Sequence, residues 1–536
     1  FGYFPALGGT AWSLESWRAL AGVPGLPAAL RATLISGFVA TPLALTLALF
    51  MAARLAPDGG VRQGLPRVLA AVLSWLLAMP HAAFAIGLAF LLSPSGWLVR
   101  LAAVAVPIAQ PPDLLTLRDP WGLSLAVGLV LKETPFLFFA ALAGLRQLAP
   151  TATLQLGASL GYSPGAAWLK LVAPRLYRLM RLPLYAVLAY GLSAVDMAQV
   201  LGPSAPPTLA VLALDLGRDP DLARRFPAAA LALLHLAVVI GAVASWRGVE
   251  IVLGRWLRRF LADGRRDPSP IALGLGCVIE AAAVLAVLLA ALAILALPLW
   301  SLAAAWRFPD AWPQCCSLAA WARAAQGLSW PLFNSLGIAA VVSTGALAAA
   351  IAWLTLEPRR RAAGPDLAAW GRGAVMLPLL VSDLAFLMGV QILLLAIGNG
   401  GGRVPVALCH FVFVFPYVLL ALAGPWAKLD PRYERTALCL GAPPLRVLLR
   451  VRLPLLLPAL AFAAALGFAV SLSLYLPTVL AGGGRVATLA TEAIALAAGG
   501  DRRITGVYGT VQAAAIWLGF LAAGWLARRH RFAVMT

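Results

Sequence analysis

Long apolar runs, separated by short polar or basic connections, dominate the chain. Eleven of them reach the twenty or so residues that a helix needs to cross a bilayer: roughly 32–54, 67–92, 120–145, 183–202, 226–246, 271–298, 332–356, 373–397, 404–425, 455–476 and 505–527. Backbone groups in hydrocarbon must be satisfied within the spanning segment, and these runs are too long for barrel strands, so each is predicted to be a helix. Lys and Arg gather in alternate loops. Arg247, Arg255, Arg258, Arg259, Arg265 and Arg266 lie in one, and Lys428, Arg432, Arg435, Arg446, Arg450 and Arg452 in another. Acidic residues show no such bias. The positive-inside rule therefore predicts that these loops and the C-terminus are cytoplasmic.

Composition points the same way. Of 536 residues 62% are hydrophobic and only 12% charged, too few polar groups to cover a soluble surface. The net charge of +20 could suggest nucleic acid, but its bias toward alternate loops argues for membrane topology and against a nucleic-acid partner. The five Cys have no metal-ligand spacing; Cys315 and Cys316 are adjacent in an outside loop, where neighbours rarely bridge. No signal peptide is visible, and the first span can direct insertion.

The chain also repeats itself. Phe4-Pro5, Ser13-Leu14, Trp17 and Pro27 recur as Phe308-Pro309, Ser317-Leu318, Trp321 and Pro331, at an offset of 304. Pro135 and Pro150 recur as Pro416 and Pro431 at 281, and Thr208-Leu209-Ala210 as Thr488-Leu489-Ala490 at 280. An N-terminal half, 1–246, and a C-terminal half, 271–536, are thus joined by an Arg-rich linker, 247–270. The span 271–298 precedes the segment that matches residues 1–30, and the first half has no counterpart to it. The expectation is an all-α polytopic membrane protein of two parallel, pseudo-twofold repeats of six helices, eleven present and the first absent from this sequence.

One connection stands out in both halves. Leu160-Gly161 through Trp168 to Pro174 recurs as Leu440-Gly441 through Leu448 to Pro454, again at 280. Gly permits a tight turn closed to residues with a Cβ, the apolar residue at the centre is placed to enter a partner's cleft, and Pro closes the segment. Lys170, Arg175 and Arg178 surround the first copy, and Arg446, Arg450 and Arg452 the second. An ordinary basic loop could carry any one of these features; their recurrence in register is what sets the pair apart.

These paired loops resemble the EAA loops of ABC-importer permeases, and the whole chain resembles the fused, two-half permeases of the ferric-iron and thiamine importers. The stretch Tyr475-Leu476-Pro477-Thr478 and Gly482 to Ala493 looks more narrowly like their Ynj-type branch. The second copy keeps the family's acidic and small residues as Glu434 and Ala437, whereas the first has Gln155-Leu156-Gly157-Ala158 and no carboxylate. The resemblance implies a type I permease fold in a bacterial inner membrane. It also implies two copies of a cytoplasmic ABC ATPase docking on Gly161, Trp168 and Pro174 and on Glu434, Gly441, Leu448 and Pro454, with an external solute-binding protein delivering the solute. ATP and Mg would belong to the ATPase; no cofactor is expected on this chain.

Lys132, Glu133, Asp196, Glu280 and Asp383 fall inside apolar segments, where a charge is costly and invites a functional explanation. Asp196, with Gln199 nearby, and Asp383 are candidates for lining a path, or for hydrogen-bonding between helices. Glu280, near a span end, reads as structural. Pro135 could free carbonyls for Lys132. His81, His235 and His410 read as isolated, satisfied packing residues. Catalytic clusters, metal-ligand sets and nucleotide-binding loops are absent, so no enzyme activity is expected. The rival to an ATP-driven permease is an ion- or proton-coupled transporter of 6 + 6 parallel repeats. It would call for matched carboxylates in both halves, and Asp196 and Glu133 have none.

Overall fold

A computed structural model describes residues 4, 7–58, 60–267, 270–363, 371, 373–378 and 381–535. They form two compact units: Phe1–Ala320 with Gly500–Gly506, and Trp321–Gly499 with Val507–Thr536. The division does not follow the linker at 247–270, because the helix after the linker packs on the helices before it.

The first unit holds α1 (Leu26–Leu55), α2 (Leu65–Ala78), α3 (His81–Leu92), α4 (Leu123–Leu148), α5 (Ala173–Ser193), α6 (Asp196–Leu201), α7 (Leu209–Arg218), α8 (Arg225–Ala262) and α9 (Pro270–Leu302). α1 packs on α4 and α5, α5 on α8, and α9 on α3, α1 and α2. The α3–α9 approach is backbone to backbone: a Cβ on Gly87 would overlap the Ala293 carbonyl. In the second unit are α10 (Ala319–Ala363), α11 (Asp383–Ala396), α12 (Arg403–Lys428), α13 (Leu457–Ser473), α14 (Leu476–Gly482), α15 (Leu489–Gly499) and, from Val507 on, α16 (Arg502–Met535). Here α12 packs on α13 and α14, and α11 on α14.

Among the described residues, eight helices are long and apolar enough to cross a membrane singly, or nine if the bent pair Pro444–Leu455 and Leu457–Ser473, turned by 79°, is counted as one span. This is an all-α, multi-pass membrane protein. Three predicted spans are not single straight helices. The run 67–92 breaks at Met79-Pro80, where Met79 is extended (ψ 136°) and Pro80 cannot donate to the ladder. The run 183–202 breaks at Ala194-Val195, and 455–476 at Leu474-Tyr475. The predicted span 373–397 includes 379 and 380, outside the described residues; its later part is α11.

The breaks at 194–195 and 474–475 are 280 residues apart, and their surroundings repeat with them. A helix end orphans carbonyls that hydrocarbon cannot solvate, so a neighbour must supply donors. His235 Nε2 on α8 donates to the Leu192 carbonyl at 3.1 Å, and Gln512 Nε2 on α16 to the Leu472 carbonyl at 3.0 Å. The next helix starts are capped alike. Leu209 N–H donates to Thr33 Oγ1 at 2.9 Å, and Leu489 N–H to Ser335 Oγ at 2.8 Å. The repeat read from residue spacing is also a repeat of hydrogen bonds.

Candidate functional site

The two repeated loops fold into the same pieces. After α4 comes a nine-residue helix, Thr151–Ser159, then Gly161 at φ +79°, a four-residue helix, Pro164–Ala167, and a five-residue π turn, Trp168–Val172, that runs into α5. After α12 come Pro431–Cys439, Gly441 at φ +80°, Pro444–Val447 and the π turn Leu448–Arg452. A Cβ meets the following carbonyl at such φ values, which is why both positions are Gly. Pro174 and Pro454 stand two residues beyond the π turns. Each lacks the N–H for an i→i−4 bond and its ring crowds that carbonyl, so the helix widens there instead of ending, as the sequence had suggested it would.

The copies differ in what covers them. In the first, Trp168 is only 8% exposed, so its ring is spent inside this chain and not held out for a partner. Lys170 is buried as well: its ammonium pairs with Asp263 and lies 5.0 Å from the Phe260 ring centre and 5.8 Å from that of Tyr162. Ser163 donates through N–H (3.0 Å) and Oγ (3.1 Å) to the Arg266 carbonyl, and a Cβ on Gly161 would stand 3.3 Å from the Arg266 guanidinium. The linker thus straps the first loop. The hydrogen bond from Lys170 holds the Asp263 carboxyl below the usual carboxylate range.

The second copy has no strap among the described residues. Leu440 and Leu445 are 82% and 66% exposed, Leu448 is half-buried, and space around Gly441 is open. Glu434, expected to face a partner, is held within the chain by Arg452 at 2.9 Å, and Arg452 stacks on Trp426 at 4.0 Å. At the same 280-residue offset the first copy has Leu154 and Val172, so this ion pair is replaced there by two apolar residues.

Inside the first unit the polar groups cluster around the broken helices. Lys132, 2% exposed, donates to the Leu76 (2.9 Å) and Leu77 (3.1 Å) carbonyls. These carbonyls are freed by the Pro80 break, not by Pro135 as expected, and the negative end of the α2 dipole adds to the attraction. His81 is not isolated. Its Nε2 is 3.4 Å from Glu133 Oε1, and its ring packs 4.8 Å from that of Tyr190. Tyr190 in turn donates to Asp196 Oδ1 at 3.2 Å, while Met197 N–H donates to the same oxygen at 2.9 Å. Glu133, His81, Tyr190 and Asp196 therefore form one chain of contacts across α4, α3, α5 and α6, with half-buried Gln199 one turn beyond Asp196. No spacing rule finds His81 or Tyr190; only the break that starts α3 at His81 brings it to Glu133.

At the places of Glu133, Tyr190 and Asp196 the second unit has Val414, Val470 and Leu476, while Asp383 begins α11 as His81 begins α3. His410, 2% exposed, meets Ser471 Oγ and Thr478 Oγ1, each at 2.9 Å. Thr478 donates its own proton to the Leu474 carbonyl at 2.8 Å, so it accepts from Nε2–H. His410 and His235 are satisfied packing residues. Half-buried Asp383 is the first residue of α11. Glu280 pairs with Arg54 at 2.6 Å, a structural role. Among the described residues no group of three or more His, Cys, Asp or Glu is placed to hold a metal ion.

No family model matches the chain. It is 31% identical over 512 residues to the inner membrane ABC transporter permease protein YnjC of Escherichia coli (strain K12), a match that covers 95% of this chain and 88% of that protein. With that identity along nearly the whole of both chains, and with two loops built on one backbone plan in an all-α multi-pass protein, the chain belongs to the inner-membrane ABC transporter permeases of the Ynj type.

Proposed function

We propose that this chain is the membrane-spanning subunit of a binding-protein-dependent importer, with both permease halves in one polypeptide. Two cytoplasmic ATPase subunits dock on the loops around Gly161 and Gly441, an external binding protein delivers the solute, and the C-terminus is cytoplasmic. The duplicated loop carries this reading: two copies share a left-handed glycine, a short helix and a π turn leading back to a span. ATP and Mg act in the partner; its closure draws the loops together and switches access to a path between the halves. The exposed leucines Leu440 and Leu445, with Leu160 and Leu169 in the first copy, are the groups that enter the ATPase clefts. Trp168, Leu448 and the two prolines hold the loops' shape.

Asp196, Gln199 and Asp383 line the path in this proposal, with Glu133 and His81 behind Asp196. A carboxylate-coupled secondary transporter is disfavoured by the unmatched halves: the first residue of α6 is Asp196, and that of α14 is Leu476. Co-purification with the cognate ATPase tests the proposal. Wild-type chain should retain the ATPase and stimulate its hydrolysis when the binding protein is added. Transport driven by an ion gradient without the ATPase would overturn it.

A further inference from the structure

At the end of α9 farthest from the first loop, four arginines and two tryptophans surround one cavity. Asp263 and Arg266, which touch that loop, lead into the start of α9. α9 has 33 residues, which at 1.5 Å each carries its far end about 50 Å away. The cavity there has a volume of about 460 Å³ and is lined by Arg100, Arg307, Arg502 and Arg503, by Trp300 and Trp306, and by a single carboxylate, Asp501.

Protein groups do not exhaust these cations. Arg100 is 3% exposed and tied down, donating to the carbonyls of Ser95 (3.0 Å) and Arg307 (2.7 Å). Arg502 gives only one Nη1 hydrogen bond to the Ser95 carbonyl (3.3 Å) and one from Nη2 to Ser95 Oγ (3.0 Å), its plane lying 5.1 Å from the Trp300 ring centre. Arg503 reaches Asp501 Oδ1 at 3.4 Å and the Ala304 carbonyl at 3.0 Å. A guanidinium has five N–H donors, so Arg502 and Arg503 both keep donors for a further acceptor. Four cations, against Asp501 in the lining and Asp310 beside Arg100, leave an excess of positive charge on partly apolar walls that an anion would offset. Trp97, Trp300, Trp306 and Trp312 form a chain of ring contacts 4.5–6.4 Å apart beside the cavity, the side chains that mark the headgroup level of a bilayer.

We infer that this cavity binds a phosphate group, with Arg502 and Arg503 as the principal donors and Arg100 as a fixed positive wall. The forked guanidinium matches phosphate oxygens geometrically. The phosphate could belong to an anionic phospholipid headgroup, as the tryptophans favour, or to a free phosphate anion. The inference is independent of the transport proposal, since ATPase coupling does not involve these residues.

Titration of the purified full-length chain in detergent tests it, with three probes: dihexanoyl-phosphatidylglycerol, dihexanoyl-phosphatidylcholine and inorganic phosphate. Wild-type protein should bind phosphatidylglycerol or phosphate. The R502Q/R503Q double variant should bind the same probe at least about tenfold more weakly, the scale of one lost charge-assisted hydrogen bond. Arg502→Lys, which keeps the charge but loses the fork, should retain only part of the affinity, and circular dichroism with gel filtration confirms folding of each variant. Tighter binding of phosphatidylglycerol than of phosphate assigns the site to lipid, and the reverse assigns it to the free anion. Equal binding by wild type and R502Q/R503Q, or no binding of either anion to wild type, overturns the inference.

Discussion

The two repeats share a backbone and differ in where they place charge. In the first, a strap of linker residues covers the loop, and the helix breaks beneath it gather Lys132, Glu133, His81 and Asp196. In the second, the loop lies open, braced by its own Glu434–Arg452 pair, and the matching interior holds His410 with two hydroxyls. Duplication therefore preserved what the backbone requires: a left-handed turn, a widened helix turn and a side-chain donor to one carbonyl at the matching helix break. It left side-chain chemistry free to diverge. The physical reason is one of cost. A lost backbone partner in hydrocarbon costs about 1–3 kcal/mol wherever it occurs, whereas an ion pair at the loop surface can be replaced by an apolar contact at little expense.

If both loops engage an ATPase, the largest effects should come from the two glycines. Gly161→Asp and Gly441→Asp each place a Cβ at φ near +80°, a strain of about 1–2 kcal/mol, and a charge at the docking face. Both should insert normally and lose ATPase retention in a pull-down. Gly441→Asn should keep most of it, because it adds the same Cβ without the charge and the space there is open. Full ATPase retention by both Asp variants would leave the coupling role without support.

The shared interior scaffold gives a second test. His235→Leu and Gln512→Leu each strand one carbonyl, Leu192 and Leu472 respectively, and each should cost about 1–3 kcal/mol in detergent unfolding. A cost at one position only would break the equivalence of the repeats.

Smaller effects should separate the two braces. Glu434→Ala removes a partly exposed ion pair, so thermal stability should fall by about 1 kcal/mol or less. ATPase retention should change only as far as the loop loosens. Leu154→Ala in the first copy should have no salt-dependent component, since no ion pair stands there.

The strap should also respond to acid. Asp263 has its carboxyl pKa depressed by Lys170, so its contribution is fully present above the ordinary carboxylate range and is lost as pH falls through the lowered value. Hydrogen exchange of the Ser163 amide, which donates to the Arg266 carbonyl, should be slow relative to its intrinsic rate at neutral pH, and that protection should be lost only below that range. In D263N it should be fast at every pH, and unchanged protection in that variant would show that the ion pair does not hold the strap.

Much of this was legible in residue order. Apolar run length pointed to membrane helices, because bilayer thickness and backbone satisfaction are one-dimensional constraints. Fixed offsets revealed the repeat, and within it Gly161 and Gly441, because only a residue without a Cβ accepts those backbone angles. Side-chain partners were another matter. Trp168 turned inward and Glu434 was taken by Arg452, since whether an exposed-looking residue is covered depends on segments distant in sequence, here the linker at Asp263 and Arg266 and the π turn at Leu448–Arg452. The helix break at Met79-Pro80 lay within a run apolar enough to read as one span. Only the packing of α4 against it showed that Lys132 satisfies its carbonyls and that His81 meets Glu133. Patterns along the chain fix what each backbone segment must do. Which polar groups meet is decided by packing, because an orphaned carbonyl or a buried charge accepts whichever partner the fold brings within about 3 Å.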